Sequence, residues 1–118
     1  MEKNCTIYKT TNFIGKKWTL IILLELHKKD KWKRYSELKD KIPDITPKLL
    51  SLRLKELEKE KLILKKVDTK IFPIKCEYSL TNSGKEFIKI IQEIKNWALK
   101  NKINNKICSN TDCKNCDI

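Results

Sequence analysis

Three of the five cysteines crowd the end of this 118-residue chain as Cys108-x4-Cys113-x2-Cys116. Thiolates at such spacing ligate zinc when a fourth donor joins them, and Asp112, Asp117 or a cysteine from elsewhere would be that donor. The same thiols equally fit a redox tail that forms a disulfide within or between chains. The plain alternative is a mobile tail whose thiols stay reduced. Cys5 stands apart, between Lys3 and Lys9. A thiol near a helix start among cations suits reaction with oxidants or electrophiles; its plain alternative is inert and partly buried. Cys76 falls on an inward strand position and reads as a small core residue. An odd number of cysteines argues against a secreted disulfide framework.

No catalytic constellation accompanies these thiols. The one histidine, His27, ends an apolar run with no nucleophile or carboxylate beside it by motif, and reads as a helix C-terminal residue favoured by the dipole. Only 2 glycines are present, too few for a phosphate-binding loop. An enzyme is not expected.

The remaining chemistry is cationic. Formal net charge is +12, from 27 Lys and Arg against 15 Asp and Glu. A small basic chain favours a polyanion, nucleic acid before acidic membrane, although a lysine-rich background composition accounts for part of the charge. The longest apolar run, Leu20 to Leu24, falls far short of the roughly 18 residues a membrane span needs. No signal-peptide pattern opens the chain, so a cytoplasmic location and no membrane partner are expected.

The lysines are organised best between Ile45 and Glu60. Thr46 can cap a helix whose first position is Pro47, where no amide proton is needed. Leu50, Leu54 and Leu57 then form one apolar stripe. Lys48, Ser51, Leu52, Lys55 and Lys59 stand opposite. Cations, a hydroxyl and a methyl-bearing side chain on one face suit a helix laid in a DNA major groove. An ordinary amphipathic surface helix would look similar in isolation.

The flanking elements supply the context. A short helix to about Ile14, a break near Gly15 and an all-round apolar helix from about Lys17 to His27 read as scaffold. Trp32 to Tyr35 reads as a short strand, and Ser36 to Ile42 as a brief helix capped by Ser36. Pro43-Asp44 ends it, giving two helices joined by a tight turn. From Leu62 to Val67, and again from Ile74 to Leu80, the period is two, which predicts a hairpin. A hairpin after a helix-turn-helix is a wing, and its loop, which carries Lys66, Lys70 and, near the base, Lys75, suits phosphate contacts. A last helix begins near Ser83, with Ser83 and Glu86 at capping-box spacing. Its apolar positions Phe87, Ile91, Ile94 and Ala98, widened by Ile88, Ile90, Trp97 and Ile103, exceed what so small a domain needs. The surplus points to a second copy of the chain, and a homodimer would read a two-fold DNA site.

Several stretches together resemble HxlR-type transcriptional regulators, a MarR-like winged-helix family. They are Cys5 with Ile14-Gly15-Lys16-Lys17-Trp18-Thr19, then Arg34-Tyr35-Ser36-Glu37-Leu38, Ile42-Pro43-Asp44-Ile45-Thr46 with Lys48, and Leu50-Ser51 with Arg53 to Glu58. Pro73, Glu77-Tyr78-Ser79-Leu80-Thr81, Gly84 and Trp97 complete the match. The resemblance implies a dimeric winged helix on promoter DNA, its dimer built from first and last helices. It also implies that the cysteine at position 5 senses electrophiles or oxidants. Three departures stand out: Thr6 replaces a proline, Lys16 a glycine, and Lys61 the glycine that precedes the wing. The last leaves open a longer recognition helix or an altered bend.

The sequence thus predicts a mainly α fold with a small β-hairpin wing, a winged helix-turn-helix dimerising through its N- and C-terminal helices. Residues 1–104 would form the DNA-binding and dimerisation domain and residues 105–118 a cysteine-containing tail. The expected function is sequence-specific transcriptional regulation, as a repressor, with double-stranded DNA and a second copy as partners. Winged-helix protein-interaction modules and non-specific DNA binders are the alternatives. Expected DNA contacts are Arg34, Ser36, Thr46, Pro47, Lys48, Ser51, Leu52, Arg53, Lys55, Lys66 and Lys70. Cys5 is the expected redox site. No cofactor is expected beyond zinc at Cys108, Cys113 and Cys116.

Overall fold

Leu20 to Leu24 are apolar on all sides, and that run becomes the middle of the molecule. In the computed structural model, which describes residues 2–116, helix α2 (Thr19–His27) buries Ile22, Leu23 and Leu26 completely or nearly so. Helix α1 (Thr6–Ile14) precedes it and ends at Gly15, whose N–H bonds to Thr11 O at 3.1 Å. A β-carbon at Gly15 would lie 2.8 Å from that oxygen. The turn between α1 and α2 places Trp18 at φ 81°, a left-handed conformation that a bulky side chain rarely adopts.

A 3-10 turn (Lys28–Asp30) leads to β1 (Lys33–Arg34) and helix α3 (Tyr35–Lys41). Ser36 does not cap α3. Arg34 holds that position, and its N–H donates to the Glu37 carboxylate at 3.3 Å, leaving Ser36 inside the first turn. Helix α4 (Pro47–Lys59) follows the Pro43-Asp44 turn. As expected, Thr46 caps it, Oγ1 accepting from Leu49 N at 3.2 Å. Leu50, Leu54 and Leu57 are buried against Ile22, Leu38, Ile45 and Ile63 in one core.

The end of α4 settles the Lys61 question. Lys61 N–H bonds to Glu58 O and Leu62 N–H to Leu57 O, both at 3.0 Å. This is the Schellman arrangement, and it puts Lys61 at φ 62°. The helix is not lengthened; a lysine adopts the left-handed turn itself, and Leu62 packs beside Leu57 in the core.

Strands β2 (Ile63–Asp68) and β3 (Lys75–Leu80) form the hairpin, paired from Ile63↔Leu80 to Asp68↔Lys75. The sheet has a third member that the hairpin pattern alone does not show, since β1 pairs with β3 through Lys33↔Tyr78 and Arg34↔Glu77. Beyond Ile63 the side chains of Leu64 to Val67 are exposed, so the hairpin projects from the core.

Helix α5 (Asn82–Asn101) starts two residues earlier than its capping-box pattern predicts. Thr81, not Ser83, is the cap: its Oγ1 accepts from Gly84 N at 3.0 Å and donates to Lys61 O at 2.7 Å. One hydroxyl thereby ties α5 to the end of α4. A β-carbon on Gly84 would collide with the Leu62 carbonyl oxygen, so this crossing needs a glycine. Ile88 and Ile91 complete the core, with Phe87 packed against it. Helix α6 (Lys106–Asn110) and a 3-10 turn (Cys113–Asn115) end the described chain.

Candidate nucleic-acid interface

Helical periodicity sets the outer face of α4 about half a turn from its leucines. Thr46, Pro47, Lys48, Ser51, Leu52 and Lys55 are all exposed there. Among the described residues neither Lys48 nor Lys55 is in an ion pair, so both ammonium groups are available to an incoming anion. Ser51 is less free. Its Oγ donates to Tyr35 Oη at 3.4 Å, and Tyr35 Oη in turn donates to Pro47 O at 2.9 Å. Tyr35 therefore joins α3 to the first turn of α4. Sequence reading gave Tyr35 no role, though an aromatic hydroxyl at the start of α3 was the available signal.

Arg53 stands to the side of the groove-facing set, where its position on the helix suits backbone or a neighbouring carboxylate. Its Nε donates to Lys17 O at 3.1 Å and its Nη1 to Glu56 Oε1 at 2.7 Å. Lys16 pairs with the other oxygen of Glu56. Burial alone would raise the Glu56 pKa, but hydrogen bonds from Lys16 and Arg53 outweigh it and hold the carboxylate below its ordinary value. With Nε and Nη1 engaged inside the subunit and its side chain only 14% exposed, Arg53 ties α4 to the strained α1–α2 turn.

The flanking cations also divide. Arg34 and Ser36 are exposed at the start of α3, beside α4. Lys70 is exposed at the wing tip, its backbone N–H turning onto Asp68 Oδ1 at 3.0 Å. Lys66 lies within β2 instead of the loop. Its ammonium sits 4.7 Å from the Trp32 ring centre and 3.7 Å from Glu77, which Lys75 approaches at 3.4 Å. The carboxylate of Glu77 thus offsets part of the charge expected to face phosphate.

Lys33 is the buried cation that the sequence pattern did not flag. Its Nζ donates to Leu26 O at 3.3 Å and also to Lys28 O, satisfying carbonyls at the end of α2. Burial lowers its pKa, partly opposed by Glu25. Lys33 thereby takes the helix-end role expected of His27. Burial lowers the His27 pKa as well, with Asp112 opposing, so the neutral ring is favoured rather than a cation for the dipole. Cys76 is half-buried in β3, its thiol 3.5 Å from Tyr78 Oη. Burial, then that thiol, raises the Tyr78 pKa far above its ordinary value.

Cys5 is partly exposed and occupies the N-cap of α1. Among the described residues no group of three or more His, Cys, Asp or Glu is placed to hold a metal ion, so Cys108, Cys113 and Cys116 do not converge as zinc ligands. Asp117, one candidate fourth ligand, lies outside the described residues. Among those residues no helix is long and apolar enough to cross a membrane.

Two short helices meeting at a tight turn, the second with an open cationic face, and a projecting hairpin beside them define a winged helix-turn-helix. The HxlR-like helix-turn-helix family model matches residues 13–106, and the chain belongs to that family. Its members are transcriptional regulators rather than enzymes. The chain is 37% identical over 100 residues to YdeP of Bacillus subtilis, an HTH-type transcriptional regulator, covering 85% of this chain and 76% of YdeP. A MarR-family transcriptional regulator from Porphyromonas gingivalis superposes with a TM-score of 0.75 at 36% identity, covering 86% of this chain and 96% of that one. The reduced form of YodB from Bacillus subtilis gives 0.72 at 31% identity, with 86% and 98% covered, and YodB is also known diamide-treated and quinone-bound.

Proposed function

We propose that this transcriptional regulator is a cytoplasmic, sequence-specific repressor that binds promoter DNA as a homodimer. The observation that carries the reading is the face of α4 that holds Lys48, Leu52 and Lys55: exposed, without ion pairs among the described residues, and opposite a fully buried leucine stripe. In the groove Lys48 and Lys55 donate to guanine edges or phosphates, and Leu52 packs on a thymine methyl. Thr46, Pro47 and Ser51 line the approach. Arg34, Ser36 and Lys70 hold flanking phosphates, with Lys66 weakened by Glu77. Arg53 is left out of the contact set because its Nε and Nη1 are engaged internally.

Dimerisation is supported by what α5 leaves uncovered. Ile90, Ile94 and Trp97 are 51%, 46% and 57% exposed, and Ile7 of α1 is 66% exposed. Apolar area of this kind on two helices calls for a partner helix pair. Residues 1–104 would form the domain that carries both functions, and residues 105–118 an appended tail. Redox control through Cys5 is supported by its partial exposure at the start of α1, the helix that carries Ile7. The diamide-treated and quinone-bound forms of YodB support the same reading.

Selection of bound fragments from the source genome, run reduced and oxidised, identifies the operator. On that fragment Lys55→Ala should weaken binding by about 1–3 kcal/mol, roughly 5- to 150-fold. A change of a few tenths with an unchanged salt slope would demote Lys55 to a bystander. Absence of salt-dependent duplex binding would favour a protein-interaction module. Equal affinity for operator and random duplex would favour a non-specific binder. For Cys5, identical diamide responses in wild type and Cys5→Ser would exclude its role.

A further inference from the structure

The residues after α6 fold back onto the base of α2. The 3-10 turn Cys113–Asn115 lies against the turn Lys28–Asp30 and against α2 itself. Lys95 Nζ donates to Thr111 O at 2.8 Å, and Lys114 Nζ lies 3.9 Å from Asp30 Oδ2. Asp112 caps the turn, its Oδ1 accepting from Lys114 N at 3.2 Å, and Cys116 N–H closes it on Cys113 O at 3.3 Å. Cys113 and Cys116 are therefore the two ends of a single turn. A 3-10 turn has three residues and rises about 2.0 Å per residue, so side chains at i and i+3 eclipse with their α-carbons about 6 Å apart. A disulfide spans α-carbon separations of about 4.4–6.8 Å.

The surroundings suit thiol chemistry. Both cysteines are partly exposed and neither is in a disulfide. Cys116 lines a cavity of about 310 Å³ together with Lys28, Lys29, Lys31, Lys33 and Lys41. Those five ammonium groups outnumber the three carboxylates on the same walls, those of Glu25, Glu37 and Asp40, so the cavity is electropositive. Reactive cysteines are found in partly exposed, electropositive surroundings of this kind. Asp40 and Lys41 belong to α3, so the cavity backs onto the helix-turn-helix.

We propose that Cys113 and Cys116, the second of them on the wall of this lysine-lined cavity, form a reversible dithiol–disulfide couple separate from Cys5. One cysteine attacks a low-molecular-weight disulfide, breaking its sulfur–sulfur bond, forming a mixed disulfide and releasing one small thiol. The second cysteine then attacks the mixed disulfide, forming the Cys113–Cys116 bond and releasing the second small thiol. Two electrons pass from the protein to the reagent, and the two cysteine protons leave on the released thiols.

The test uses the full chain carrying Cys5→Ser, equilibrated in glutathione buffers from fully reduced to fully oxidised. Acid quenching, alkylation with N-ethylmaleimide and peptide mass spectrometry follow. The expected product is a monomer lighter by two hydrogens, with Cys113 linked to Cys116 and dithiothreitol restoring both thiols. Adding Cys113→Ser should replace that product by a glutathione adduct on Cys116. Alkylation of both thiols at every buffer ratio, or a link from either one to Cys108, would overturn the proposal. Protection without loss of hydrogens, reversed by a chelator, would overturn it in favour of a metal site. No DNA enters the assay, so its outcome stands apart from the operator reading.

Discussion

Replacing Lys61 by glycine should stabilise the protein, although no contact is added. The residue sits at φ 62°, between the last turn of α4 and the first residue of the wing. An L-residue pays about 1–2 kcal/mol in the left-handed region, because its β-carbon crowds the following carbonyl. Glycine avoids that cost but loses about 0.5–1 kcal/mol more backbone entropy on folding. The difference leaves about 0.5–1 kcal/mol in favour of glycine. The Lys61 side chain is exposed and, among the described residues, in no ion pair, so no side-chain contact there offsets this gain. The backbone bonds of Lys61 N–H to Glu58 O and of Thr81 Oγ1 to Lys61 O need no side chain. For a domain of this size the gain corresponds to a rise in midpoint of about 2–5 °C. Urea and thermal unfolding of wild type, Lys61→Gly and Lys61→Ala provide the assay. Alanine keeps the β-carbon, so it should stay within a few tenths of wild type. A glycine variant no more stable than wild type, or an alanine variant that matches glycine, would refute the reasoning. Either result would mean that the strain is relieved elsewhere or was never present.

Gly84→Ala should destabilise by about 1–3 kcal/mol in urea unfolding, because its β-carbon must displace the Leu62 carbonyl while Leu80 Cδ2 waits 3.1 Å away. A neutral result would show that α5 can shift off the start of β2 at no cost. Arg53→Ala should cost about 2 kcal/mol of stability by freeing Glu56 and Lys17 O, while Lys55→Ala should cost no more than a few tenths. If Arg53→Ala kept full stability and lost DNA affinity, Arg53 would be a DNA contact after all. The folded-state pKa of His27 lies below its ordinary value of about 6.5, chiefly through burial, with Asp112 and Asp30 opposing and Lys114 and Lys33 reinforcing. Between the folded and unfolded pKa values the unfolded chain binds more protons, so stability should fall as pH drops below about 6.5. His27→Gln should flatten that part of the profile of urea midpoints between pH 7.5 and 5.5; an unchanged slope would assign it to other groups.

The apolar skeleton was legible because burial leaves a periodic trace. Leu50, Leu54 and Leu57 on α4, the all-round apolar run of α2 and the alternation of Tyr78 and Leu80 on β3 each report which side faces the core, whereas the period of β2 does not, since its residues after Ile63 leave the core on both faces. The resemblance to HxlR-type regulators pointed to the same architecture. Caps were legible in kind but not in position. Ser83 with Glu86 satisfies a capping-box pattern, yet Thr81 takes the cap because its hydroxyl also reaches Lys61 O, a partner 20 residues away. The surplus stripe of α5 was legible as an excess, but only coordinates divide it into Ile88 and Ile91, facing the core, and Ile90, Ile94 and Trp97, left uncovered.

The cations were the least legible part, for an electrostatic reason. A lysine or arginine on an outer helical or strand position looks the same in sequence whether its partner is water, a carboxylate or a backbone carbonyl. Arg53, Lys66 and Lys55 all occupy outward positions, yet Glu56 engages the first, Glu77 and Trp32 the second, and nothing among the described residues the third. Glu77 and Trp32 lie on other segments, so no local pattern announces them; Glu56, three residues from Arg53 on the same helix, is the one partner whose spacing the sequence shows. Lys33 makes the same point from inside: a lysine in a two-residue strand is buried because the open carbonyls of α2 lie within reach of its ammonium. Net charge therefore gives an upper bound on the charge a duplex would meet. What remains after internal pairing is smaller, and on α4, among the described residues, it is Lys48, Lys55 and Lys59.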